Sequence, residues 1–120
     1  MKDRRKTVRR YLLYYARIYD PTSRQLVGNL VDITPRGIMV LSPKPFEVGK
    51  LHHLQMELTE EVSQQPLMDL TAIARWSHPD IDPHLYNTGF ELVEIKPEEN
   101  ETIQRIIAIF GFRDNIRFKD

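Results

Sequence analysis

Hydrophobic and polar residues alternate cleanly between Leu51 and Leu58, with His52, Leu54, Met56 and Leu58 on one side and His53, Gln55 and Glu57 on the other. A period of two predicts a half-buried strand. Aromatic and β-branched residues suggest further strands at Tyr11–Tyr19, roughly Gln25–Asp32, Gly37–Leu41, Met68–Ser77 and Tyr86–Val93. Turn residues separate them. Asp20-Pro21-Thr22-Ser23 folds the first two strands into a hairpin, because proline fixes φ and aspartate bonds to its own backbone. Ser42-Pro43-Lys44-Pro45 stops the third strand, Thr59 to Pro66 reads as a polar loop, and His78 to His84 is rich in proline and aspartate. Near the end the period changes: Ile103, Ile106, Ile107 and Phe110 fall on one face of a helix over about 97–110. Pro97, Glu98, Glu99 and Glu101 suit its N-terminus, and Gly111 suits its C-terminal cap. Six short strands and one closing helix predict an all-β antiparallel barrel or sandwich, with the helix laying its apolar stripe over an open end or face.

Composition fits a single domain. The chain has 120 residues, 41% hydrophobic and 28% charged. No apolar run reaches the ~18 residues that span a bilayer, and nothing at the start resembles a signal peptide. With no cysteine, disulfides, thiol catalysis and thiolate metal sites are excluded, and a cytoplasmic location is the expectation. The net charge of zero hides a division: Lys2, Arg4, Arg5, Lys6, Arg9 and Arg10 face only Asp3 within residues 1–10, so a basic arm precedes a mildly acidic body. The organisation expected is therefore a flexible basic arm at 1–10, a barrel with its helix at 11–112 and a short tail at 113–120.

Enzymatic chemistry finds no support in the pattern, and no catalytic role is expected. P-loop, GxSxG and HExxH motifs are missing, and Glu60-Glu61 and Glu98-Glu99 sit in loop and helix-start settings. No metal is expected either. His78, Asp80, Asp82 and His84 lie in a proline-containing loop, and His52 and His53 point to opposite sides of their strand.

Two stretches carry chemistry. Arginines at Arg4, Arg5 and Arg9 offer planar forks of donors that match phosphate oxygens or the O6/N7 edge of guanine. In Asp32-Ile33-Thr34-Pro35-Arg36-Gly37, Asp32 presents acceptors complementary to guanine N1–H and N2–H₂, and Thr34 adds a hydroxyl. Pro35 and Gly37 fit positions i+1 and i+3 of a type I turn beginning at Thr34. Lacking a side chain, Gly37 lets a ligand come close to the backbone. A guanine nucleotide is the natural guest.

The order RxxxR, hairpin, [D/N]x[S/A]xxG resembles the signature of the PilZ family of bacterial cyclic di-GMP receptors. Arg5-Lys6-Thr7-Val8-Arg9, led by Arg4, is similar to the first element, and Asp32 to Gly37 to the second. Ala74-Arg75-Trp76, Gly89-Phe90-Glu91-Leu92 and the terminal helix extend the likeness over roughly residues 4–112. The resemblance implies a six-stranded antiparallel barrel with cyclic di-GMP held between arm and rim, and no further cofactor. It implies that Arg4, Arg5 and Arg9 bind phosphates and guanine edges, that Asp32 and Thr34 hold a guanine, that Gly37 permits close approach and that Trp76 flanks the ligand. Thr34 departs from the usual serine but keeps the hydroxyl. The output implied is arm closure read by a downstream effector protein. Two rival readings are a nucleic-acid-binding barrel, whose basic arm would track phosphates, and a ligand-free PilZ-like protein-interaction module. The arm's charge is local and the body acidic, which favours a small anionic ligand over a polynucleotide. Both motifs are present, which speaks against the ligand-free module.

Overall fold

Strands whose alternate residues are apolar can satisfy their backbones without an edge by closing on themselves, and this chain does so. The computed structural model describes residues 10–12 and 15–113. Six strands form a closed antiparallel barrel: β2 (Arg17–Tyr19), β3 (Leu26–Ile33), β4 (Gly37–Ser42), β5 (Leu51–Glu57), β6 (Leu67–Pro79) and β7 (Tyr86–Val93). The first three make one meander and the last three another. The meanders join through β4 with β7 and through β2 with β5. The helix α1 (Pro97–Phe110) follows.

The turns form for the reasons their residues suggest. Asp20 Oδ1 accepts from the Thr22 N–H at 2.8 Å, and the Asp20 carbonyl accepts from the Arg24 N–H at 2.7 Å, closing the β2–β3 hairpin. In α1, Pro97 occupies the first turn and the Glu99 side chain accepts from the Lys96 backbone N–H at 3.0 Å. That contact is the carboxylate half of a capping box. Ile103 and Ile106 are fully buried, and Ile107 and Phe110 pack against the same core. Burial of the two isoleucines contributes on the order of 1.5–3 kcal/mol each, so α1 closes the barrel as a structural member.

Three local expectations are corrected. Tyr11–Tyr19 does not form one strand. Its described residues divide between β2 and a separate strand β1 (Arg10–Leu12), which pairs antiparallel with β8 (Gly111–Arg113) after the helix. The backbone leaving α1 is extended and presents unpaired groups, and residues 10–12 satisfy them. Gly111 does cap the helix, donating its N–H to the Ile107 carbonyl. It does so at φ −73° and ψ 131°, not in the left-handed conformation, because the chain runs straight into β8. Within the polar loop after β5, Val62 is 1% exposed and plugs the core, and its carbonyl accepts from Arg105 Nη1 of α1 at 2.6 Å.

Inside the barrel, period two holds. Leu54 and Met56 on β5 and Met68, Leu70, Ala72 and Ala74 on β6 all point inward. The rhythm breaks at three register shifts, one of them between Ile18 and Tyr19 where β2 pairs with β3. On β3 the register slips between Leu30 and Asp32, and on β6 between Ala74 and Trp76.

Candidate functional site

The bulges at Val31 and Arg75 decide what reaches the outer wall. Strict alternation after Leu30 would point Asp32 into the core, and strict alternation after Ala74 would do the same to Trp76. An extra residue at Val31 and at Arg75 shifts the phase, a local device by which bulges re-aim side chains. Asp32 then lies opposite Met39, Met39 opposite Gly89, and Gly89 opposite Trp76, so one row crosses β3, β4, β7 and β6. Ile33 and Thr88 resume the inward phase beyond it.

At one end of the row stands the β3–β4 turn. The Thr34 N–H donates to the Gly37 carbonyl at 2.8 Å, and Thr34 Oγ1 accepts from the N–H groups of Arg36 at 3.2 Å and Gly37 at 3.1 Å. The hydroxyl therefore ties the turn together. Asp32 Oδ1 accepts from the Ile33 N–H at 2.8 Å. Gly37 has a scaffold reason to be glycine: a β-carbon there would overlap the Phe90 carbonyl oxygen of β7. This close approach of backbone to backbone stands beside the ligand-approach role that the sequence suggested.

The other end is an aromatic platform. The Trp76 indole lies over Gly89, where a β-carbon would collide with the ring, and it stacks on His78 with centroids 5.1 Å apart and planes at 25°. Trp76 is 37% exposed, so part of the indole reaches solvent at the cleft. Beside it, Arg75 donates from Nε to Glu91 Oε1 at 2.7 Å.

Turn and platform share one cleft of about 380 Å³, lined by Asp32, Thr34, Arg36, Gly37, Met39, Arg75, Trp76, Gly89 and Glu91 among others. Of the residues singled out in the sequence, Asp32, Thr34, Gly37 and Trp76 come together here. Arg4, Arg5 and Arg9 lie outside the described residues. Arg36, Arg75 and Glu91, given no site role by the sequence, also line the cleft. The signal for Arg75 and Glu91 was the bulge, which depends on cross-strand pairing. Asp32 and Glu91 offset Arg36 and Arg75, so the cleft itself brings no excess of positive charge.

His52 and His84 are engaged away from the cleft. His52 packs edge-on against Phe46 and Phe90 at 5.3 and 5.7 Å, and its Nε2 meets the Glu47 carbonyl at 3.0 Å. Asp80 accepts from Asn87 Nδ2 at 2.8 Å, and Asp82 accepts from the His84 N–H at 3.0 Å. Among the described residues no cluster of three or more candidate ligands could hold a metal ion, and no helix is long and apolar enough to cross a membrane.

The chain matches the family model described as PilZ domain over residues 3–108. It belongs to the PilZ domain family. Solved structures of similar fold include the PilZ domain with c-di-GMP of YcgR from Escherichia coli, at 14% identity and TM-score 0.59, covering 89% of this chain and 92% of that one. Another is the Bacillus subtilis inhibitor of motility (MotI/DgrA), at 18% identity and TM-score 0.62, covering 88% of this chain and 51% of that one. A third is YcgR in complex with c-di-GMP from Escherichia coli, at 16% identity and TM-score 0.59, covering 88% of this chain and 45% of that one. The chain thus spans about half the length of the latter two. At these identities the likeness is one of fold. Among curated proteins no relative matches the chain.

Proposed function

We propose that this PilZ domain is a receptor for cyclic di-GMP that acts by changing its surface and not by catalysis. The observation that carries the reading is the meeting of Asp32, Thr34, Gly37 and Trp76 in one outer cleft of a PilZ barrel. Two structural neighbours bearing c-di-GMP add to it. In this reading the Asp32 carboxylate takes guanine N1–H and N2–H₂, and Thr34 presents its hydroxyl while holding the turn. Trp76 offers its exposed indole surface to a base. The dinucleotide carries two phosphodiester charges that a cleft of balanced charge does not neutralise. Arg4, Arg5 and Arg9 supply that complement from the basic segment just upstream of β1. Charge-assisted hydrogen bonds are worth about 1.5–3 kcal/mol each. Ordering a segment on binding costs about 2–5 kcal/mol. Four or five such contacts leave about −8 kcal/mol, a micromolar complex. The segment closed over the ligand would create the surface that an effector protein reads.

Calorimetric titration with cyclic di-GMP tests this. Wild type is expected to bind, and Arg5→Ala/Arg9→Ala to lose most of the affinity while its melting temperature stays put. Equal affinity in the double variant would overturn the assignment of the arginines. A steep fall of affinity with salt, together with binding to single-stranded nucleic acid, would instead favour the polynucleotide reading.

A further inference from the structure

Resting on the cyclic di-GMP reading, we infer that Glu91, held in place by Arg75, is a second guanine-specificity element, serving the base that Asp32 does not reach. The geometry starts from the β6 bulge. Because Arg75 is the extra residue there, it shares the outer wall with Trp76 and reaches Glu91 on β7, its Nε at 2.7 Å and Nη2 at 2.5 Å from Oε1. Both contacts fall on one oxygen. Among the described residues Oε2 takes no hydrogen bond. Glu91 also pairs with Gly37 across β4 and β7, which sets it beside the turn.

A carboxylate flanked by a guanidinium presents acceptors next to a donor. Guanine's Watson–Crick edge presents the complement: N2–H₂ and N1–H donors beside the O6 acceptor. The pair thus offers what cytosine offers to guanine. Arg75 does more than neutralise. Its fork fixes the carboxylate's orientation, and a pre-positioned acceptor loses less entropy on binding.

Why a second base and not the first follows from strand spacing. Asp32 on β3 and Glu91 on β7 are separated by β4, about 10 Å across, and by two residues, about 7 Å, along the strands. Their Cα atoms therefore stand roughly 12 Å apart. That spread suits two bases of one dinucleotide, with Trp76 on β6, beyond β7, flanking the Glu91 side of the cleft.

The experiment compares cyclic di-GMP with its hypoxanthine analogue, cyclic di-IMP, which keeps N1–H and O6 but lacks the 2-amino group. Wild type is expected to prefer cyclic di-GMP. Glu91→Gln should weaken cyclic di-GMP by about tenfold or more, the loss of one charge-assisted acceptor, and weaken cyclic di-IMP less, narrowing the preference. Glu91→Asp, which keeps the carboxylate, should retain more of the preference than Glu91→Gln. Arg75→Met should narrow it in the same direction by a smaller factor. Both side chains are about half exposed, so the variants should melt with wild type. If Glu91→Gln bound cyclic di-GMP like wild type, or weakened both ligands equally, the inference would fail while the receptor reading stood. If wild type bound neither ligand, both would fall.

Discussion

The two ends of the cleft are built by different physics. The turn end, Asp32 to Gly37, is made by its own residues: Pro35 sets the bend, and the Thr34 hydroxyl gathers two N–H groups within three positions of sequence. The platform end is made by distant ones. Trp76, Gly89 and Glu91 meet because β6 pairs with β7 and slips by one residue at Arg75. Local chemistry shapes the turn, and β7 then anchors it, the Leu92 N–H donating to the Arg36 carbonyl at 2.9 Å. Tertiary pairing gives a platform whose every contact depends on the barrel being closed. Substitutions at the two ends should therefore read out differently, the first as stability and the second as ring position.

The largest expected effect is Gly37→Ala. The added β-carbon meets backbone, the Phe90 carbonyl, which cannot rotate away. Overpacking of this kind costs about 1–3 kcal/mol, measurable as a lower midpoint in urea unfolding at unchanged slope. A stability equal to wild type would mean that β4 and β7 are not held as closely as described.

Next comes Thr34. Alanine there abandons the turn N–H groups of Arg36 and Gly37 and should cost about 1 kcal/mol, whereas serine keeps the oxygen and should stay within about 0.5 kcal/mol of wild type. Thr34→Ser should also bind ligand, since the hydroxyl is what the turn and the site share. If alanine and serine proved equally harmless, the turn would owe its shape to Pro35 and Gly37 alone.

The smallest effect on stability belongs to Gly89→Ala, although its spectroscopic effect should be plain. Here the new carbon meets a side chain, and the indole can swing aside. Alanine is also favoured over glycine in a strand by roughly 0.5–1 kcal/mol, which offsets the lost stacking. The net change should stay below about 1 kcal/mol. Trp76 is the sole tryptophan, so its emission maximum and intensity report the displacement without interference. Unaltered emission would show that the ring does not rest on Gly89.

This contrast also explains what could be read from residues alone. The strands, the β2–β3 hairpin and the α1 stripe were legible because each rests on a short-range rhythm or turn chemistry. So was the Asp32–Gly37 turn, down to the positions of Pro35 and Gly37. Family likeness extended that to a closed barrel, which periodicity alone did not separate from a sandwich. The rest was hidden by tertiary context. Continuing the beat of Met68, Leu70, Ala72 and Ala74 would place Trp76 inside, and only the slip against Gly89 reverses it. Val62 sat unremarked in a polar stretch because a single apolar residue has no period. Tyr11 and Leu12 looked continuous with β2 and Arg10 looked part of the basic arm, since nothing in them announces a partner beyond α1. The arginines that carry the electrostatic half of the proposal lie outside the described residues, so that half stands on the sequence.

The phase shift at Arg75 has one more consequence, which concerns how such a surface can be edited. Because this residue is supernumerary, excising it would leave Ser77 and the positions after it still in frame with β7, with Ser77 Oγ and Thr88 Oγ1 meeting at 2.8 Å as before. Trp76 would simply inherit the vacated outward slot. The same holds for Val31 ahead of Asp32 and Ile33. Deleting a single amino acid, ordinarily ruinous within a strand, should at these two positions subtract an outward group while keeping the inward phase of the residues that follow.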